Sequence, residues 1–157
     1  MKFLVVKNLK KEKQFKPIIA GLLLFMLLYV ISDFFVKSHS LGLDTSSLSN
    51  SLFGNEEEYL EPMPTSVFLE MWHIEIFLTM MLLLSLGAVF SRFSSDSIFN
   101  QRVLHSTMIA ALFSLVFLAV AFFFEASFTL AYLITFYLSR MGILYMAIFS
   151  LKSLYAK

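Results

Sequence analysis

The sequence predicts an all-α protein, a four-helix transmembrane bundle with both termini in the cytoplasm. Three observations carry that prediction. Hydrophobic residues make up 59% of the 157 positions, with 19 Phe, and charged residues only 15%, whereas soluble domains run at roughly 45–50% apolar and about 25% charged. Four long apolar runs divide the chain, and nearly all basic residues fall on one side of them. A domain of this size keeps much of its surface exposed, so a bilayer must be the solvent for much of it.

Residues 1–16 form a basic arm with Lys2, Lys7, Lys10, Lys11, Lys13 and Lys16. Its apolar residues do not share one face, and attraction to anionic headgroups accounts for it. A lysine run this short beside a span does not point to nucleic acid. The first span is read at 17–36, with Pro17 in the first turn, where a missing N–H costs nothing. A span needs about 20 apolar residues at about 1.5 Å rise each. A cleaved signal peptide is the competing reading, with Val36-Lys37-Ser38 as a loose cleavage site. The apolar run continues through Phe34, Phe35 and Val36, long enough to span, which favours an uncleaved helix.

The outer loop, 37–66, is too short for a catalytic domain. Within it Asp44 is placed to cap a short helix with Leu48, Leu52 and Phe53 on one side and serines on the other. Glu56, Glu57, Glu58 and Glu61 lack the ligand spacing of a calcium loop and read as a solvated acidic stretch. Pro62 and Pro64 precede the second span, 67–90, whose free N–H groups Thr65 or Ser66 is placed to cap. A cytoplasmic loop, 91–102, leads to the third span, 103–124. Glu125-Ala126-Ser127 is the expected turn into the fourth span, 128–150, and 151–157 form a cytoplasmic tail. The runs are continuous rather than alternating, which favours helices over a membrane barrel.

Charge sets the orientation. The arm, Arg92, Arg102, Lys152 and Lys157 together hold ten of the twelve basic residues. The opposite side has Lys37 among Asp44 and the glutamates. The positive-inside rule then places both termini in the cytoplasm, as expected for a multi-pass protein of the bacterial inner membrane. The chain has no cysteine, so disulfides, thiolate metal sites and thiol nucleophiles are absent. No nucleophile elbow, phosphate loop or zinc-protease helix is present.

Ionisable residues inside a span are costly unless paired, so each is a candidate site. Arg140, near the middle of the fourth span, is the most costly of them. Glu75, about eight residues into the second span, is its expected partner in an intramembrane ion pair. Glu70 and His73 fall about 60° apart on one face of the second span, with Glu75 on another beside Met71 and Thr79. With Asp33 and Glu125 they are expected to form a polar rim near the outer surface. His73 and His39 are candidate metal or haem ligands, with Met63 and Met71 suited to copper(I). His105 lies at the other end of the third span and cannot share one haem iron with His73. Thr107, Ala111, Ser114, Leu118, Ala121 and Glu125 form a stripe suited to close helix packing, which places Glu125 towards the bundle at its outer end.

His73-Ile74-Glu75, with Gly87 downstream, resembles the opening of the second span in small, uncharacterised bacterial polytopic membrane proteins, which carry a His-x-His motif there. Glu75 stands where those proteins have the second histidine. The resemblance implies ligand binding at the outer end of this span.

The functional expectation is a non-catalytic accessory subunit or anchor, in contact with lipid, other membrane subunits or further copies of itself. Two alternatives are a proton- or ion-translocating component built on Glu75 and Arg140, and a haem- or metal-binding redox subunit acting through His73.

Overall fold

The computed structural model describes residues 15–56, 59–94 and 97–156. Most of the basic arm, together with Glu57, Glu58, Asp96 and Lys157, lies outside the described residues. Five helices follow one another: α1 (Phe15–Ser40), α2 (Thr45–Phe53), α3 (Thr65–Phe93), α4 (Ile98–Phe123) and α5 (Phe128–Tyr155). The described residues contain no strand, only an isolated bridge between Asn55 and Leu60. Four helices, of 26, 29, 26 and 28 residues, are long and apolar enough to cross a membrane. At about 1.5 Å per residue each exceeds the roughly 30 Å of a hydrocarbon core.

Burial divides the spans unequally. α5 is the hub, packed against α1, α2, α3 and α4. α4 and α5 pack most extensively, through the small-residue stripe expected from the sequence: Thr107, Ala111, Ser114, Leu118 and Ala121 are all buried, whereas Glu125, beyond the end of α4, is exposed. Gly142 of α5 makes this approach possible, since a Cβ there would fall 2.9 Å from both Thr107 Cβ and Thr107 Cγ2. The Trp72 indole N–H donates to the Leu115 carbonyl at 3.0 Å, tying α3 to α4.

Two apolar clusters fill the bundle. One gathers Leu23, Met26, Leu82, Leu86, Phe90, Ile143 and Met146 from α1, α3 and α5, with Ala111 of α4. The other lies towards the end where α2 sits, with Leu41, Leu48, Leu52, Phe68, Leu118, Tyr132 and Phe136. α2 is therefore a strap laid across the bundle end. Asp44 caps it, accepting from the N–H groups of Ser46 at 3.1 Å and Ser47 at 2.9 Å. Leu48 and Leu52 face inward, as their spacing predicts.

Two local expectations are corrected. α1 runs beyond the apolar segment 17–36 to Ser40. Leu41 and Gly42 both donate their N–H groups to the Lys37 carbonyl at 3.0 Å, and Gly42 closes the turn at φ +83°, a conformation that glycine adopts without strain. Lys37 is thereby inside a helix rather than in a loop. At the start of α3 neither Thr65 nor Ser66 is the cap. Pro64 occupies that position with no side-chain hydrogen bond, and the Phe68 N–H reaches the Pro64 carbonyl at 3.0 Å.

Candidate functional site

Each charged residue inside the bundle stands on the inward stripe of its own helix. On α1 the stripe is Ile19, Leu23, Met26 and Val30, continued at the same spacing of three and four by Asp33 and Lys37. On α3 it is Phe68, Glu75, Thr79, Leu82 and Leu86, and on α5 Tyr132, Phe136, Arg140 and Ile143. Residues three and four apart share a helix face, so the packing that buries the apolar members carries the charges in with them. Glu75 is ten residues into α3 and Arg140 twelve into α5, or about 15–18 Å of helix from that end of the bundle.

The four groups form one chain of alternating charge. The Lys37 ammonium donates to Glu75 Oε1 and, at 3.2 Å, to the Tyr132 hydroxyl. Glu75 Oε1 lies 3.9 Å from Arg140 Nη2. The same Nη2 lies 2.8 Å from Asp33 Oδ2. The order is thus Lys37, Glu75, Arg140, Asp33, two bases and two acids with a formal sum of zero. Lys37, Glu75 and Arg140 are only 6–7% exposed.

Phe136 supports both cations: Lys37 Nζ is 4.8 Å and Arg140 Cζ 5.0 Å from its ring centroid. Such contacts strengthen when desolvated. Arg140 Nε and Nη1 have no hydrogen-bond acceptor among the described residues. Two hydroxyls flank the chain of charges, Tyr132 within it and Tyr29 on α1 beside it.

The sequence-based expectations map onto this geometry unevenly. Arg140 does approach Glu75, but its nearer carboxylate belongs to Asp33, and the nearer cation to Glu75 is Lys37. Asp33 is joined to Arg140, and no ion pair or hydrogen bond links it to Glu70, His73 or Glu125, all three of which are exposed. His39 and His73 are both exposed. Among the described residues, no group of three or more His, Asp or Glu is arranged to hold a metal ion. Lys37 is the member of the charge chain that sequence reasoning missed. Its signal was the four-residue step from Asp33, which continues the apolar stripe of the first span.

Several cavities border the bundle. A crevice of about 160 Å³ between α1 and α3 reaches Tyr29, Asp33, Lys37, Ser40 and Glu75. A cavity of about 270 Å³ between α1 and α5 passes Asp33 and Arg140 among Phe34, Phe136 and Tyr137. An apolar groove of about 430 Å³ lies between α3 and α4, lined by Met80, Leu83, Met108, Ala111 and Leu112.

A family model described as Aq_1264_TM, a transmembrane helical domain, matches residues 42–157. The match covers α2 to α5, with Glu75, Tyr132 and Arg140; α1, which supplies Asp33 and Lys37, precedes it. No curated protein and no solved structure matches the chain. The three membrane-length helices α3, α4 and α5 agree with the family's description over the matched length, which is most of the sequence: the chain belongs to the Aq_1264_TM family of transmembrane helical domains.

Proposed function

We propose that the protein is a non-catalytic subunit of the bacterial inner membrane, an accessory or anchoring component that packs laterally against other membrane helices. The observation that carries this reading is the closure of the charge chain on itself. Both acids and both bases in the bundle interior are engaged with one another, and they join α1, α3 and α5 into one unit. A buried pair of this kind gains little net stability, because desolvation offsets attraction. Breaking it costs about 3–5 kcal/mol, because a lone charge is left behind. Such a chain fixes which helices meet and in what register.

What the bundle offers to its surroundings is apolar. Phe25, Ile31 and Phe35 of α1 and Ile109, Leu112 and Phe113 of α4 project outward, and the α3–α4 groove is wide enough for side chains of a neighbouring helix. Both termini lie in the cytoplasm in this reading, supported by the ten basic residues of the arm, the 91–102 loop and the tail.

A photoreactive residue at Met108, in the α3–α4 groove, tests the proposal in intact membranes. The expected product is a discrete protein adduct of constant mass, lost when Leu112, exposed at the groove, is enlarged to Trp. Adducts with lipid alone at Met108, with a chain that purifies as a single copy in mild detergent, would overturn it.

A further inference from the structure

Arg140 carries more donors than the protein satisfies. Its Nη2 meets the carboxylates of Asp33 at 2.8 Å and Glu75 at 3.9 Å. Its Nε and Nη1 have no acceptor among the described residues, although the residue is only 7% exposed. Buried donors without a partner are strongly unfavourable, and the hydrocarbon around a span holds no water to relieve them. The same side chain lines the α1–α5 cavity. That cavity has about 270 Å³, close to the roughly 300 Å³ at which pockets for small ligands begin. The exposed residues at its edge, Ile31, Phe34 and Met141, are apolar, so access to it is from the bilayer.

Four features select an occupant. The missing partners are acceptors, so the occupant brings oxygen rather than N–H groups. Asp33 and Glu75 already balance Arg140 and Lys37, so an anion would carry a net charge into the bundle at high cost, and a neutral oxygen is favoured. Phe34, Phe136 and Tyr137 set three aromatic rings in the wall, which suits a flat ring that stacks or packs edge to face. Arg140 stands near the middle of the 28-residue α5. At that depth the ester carbonyls of a phospholipid, held at the edge of a hydrocarbon core about 30 Å thick, are out of reach. An acyl chain reaches the cavity but brings no acceptor.

We propose that the α1–α5 cavity binds the ring of a lipid-soluble quinone, whose carbonyl oxygen accepts from Arg140 Nε and Nη1 while its apolar tail stays in the bilayer. The site is one of binding within the single chain. It is separate from the α3–α4 groove, so lateral packing there and quinone binding here fail independently.

A short-tailed azido-quinone, photolysed with the protein in nanodiscs and mapped by peptide mass spectrometry, tests this. The competitors are decylubiquinone and dioleoylglycerol, a ring carbonyl and an ester carbonyl. The expected label is saturable, confined to residues of α1 and α5 around the cavity, and displaced by decylubiquinone alone. Arg140→Lys keeps a cation for Asp33 and removes the guanidinium fork. It should weaken decylubiquinone competition about tenfold or more, as expected for lost hydrogen bonds from a charged donor. Ile31→Trp narrows the cavity without touching a charge and should abolish the saturable label, which keeps the test decisive if Arg140→Lys does not fold. Ile109→Trp, in the α3–α4 groove, should leave it unchanged. Label spread over all four spans without saturation would show partition into lipid only and overturn the proposal. Equal displacement by dioleoylglycerol, or unchanged competition in a folded Arg140→Lys, would overturn it as well.

Discussion

α4 joins α5 in one way and α1 joins the bundle in another. The α4–α5 contact is built from Ala111, Ser114, Ala121 and Gly142, residues small enough for the two backbones to approach closely. No ion pair crosses it among the described residues. α1 is packed far less extensively, with a crevice on its α3 side and a cavity on its α5 side. Its distinctive links are Lys37 to Glu75 and Asp33 to Arg140. In lipid, helices gain no hydrophobic advantage from meeting, so close packing or polar pairing must supply the association. This molecule uses each where the other is absent. Close packing needs matched shape along the whole contact, whereas two ion pairs specify a register at two points and leave space beside them.

The largest effect is expected where that dependence on charge is broken. Glu75→Leu leaves the Lys37 ammonium without its carboxylate, and removes the ion pair that links α1 to α3. Loss of about 3–5 kcal/mol is expected, as for other buried pairs deprived of one partner, measured by reversible unfolding in bicelles. The double variant Lys37→Met, Glu75→Leu removes both charges and keeps the Arg140–Asp33 pair. It should recover most of that loss, since an apolar replacement of a whole buried pair is often neutral. If the double variant is no better than the single, Lys37 and Glu75 are not energetically coupled, and the pairing described for α1 is wrong.

A smaller effect tests the other half of the comparison. Gly142→Ala drives a methyl group into Thr107, whose Cβ and Cγ2 lie 2.9 Å from the new atom. Overpacking of this kind costs about 1–3 kcal/mol, and adding Thr107→Ala should restore part of it. The same change at Gly21 in α1 meets nothing within 4 Å and should cost nothing by the same unfolding assay. Equal losses at the two glycines would show that α1 is as tightly packed as α4, which removes the contrast between them.

The four spans were legible because continuous apolar length is a property of sequence alone, and so was the inward stripe of α4, because small residues recur at helical spacing. The Asp44 cap was legible for a similar local reason: a capping side chain followed by Leu48 and Leu52. Partner choice inside the bundle was not. Depth can be counted along each helix, and it placed Glu75 near Arg140. Which carboxylate Arg140 meets first depends on how each helix is rotated, and rotation is set by packing partners that lie far away in sequence. Lys37 was hidden differently. A span judged by hydropathy ends at Val36, whereas the helix itself ends where Gly42 can close it, and the difference moves a cation from a loop into the core. The polar rim failed for the same reason, because Asp33 is turned towards Arg140 while Glu70, His73 and Glu125 face outward.

The smallest effect concerns the strap that spans the end of the bundle next to α1. Asp44 is exposed, and hydrogen bonds from the hydroxyl and amide groups of Ser46 and Ser47 hold its carboxyl well below the usual carboxylate range. A carboxyl with a depressed folded-state value stabilises the cap fully above its unfolded value, about 3.9. That contribution fades as the pH falls through the folded value. The first turn of α2 should therefore hold its amide shifts at Ser46 and Ser47 throughout the neutral and mildly acidic range, and lose them only in strong acid. Asn is as good a cap as Asp and does not titrate, so Asp44→Asn should keep those shifts and abolish their pH dependence. If the shifts move identically in both proteins, the strap is following a wider acid transition that reaches the carboxylates of the charge chain. The strap and the attachment of α1 would then be one cooperative unit, rather than a cap and a pair of ion links that fail separately.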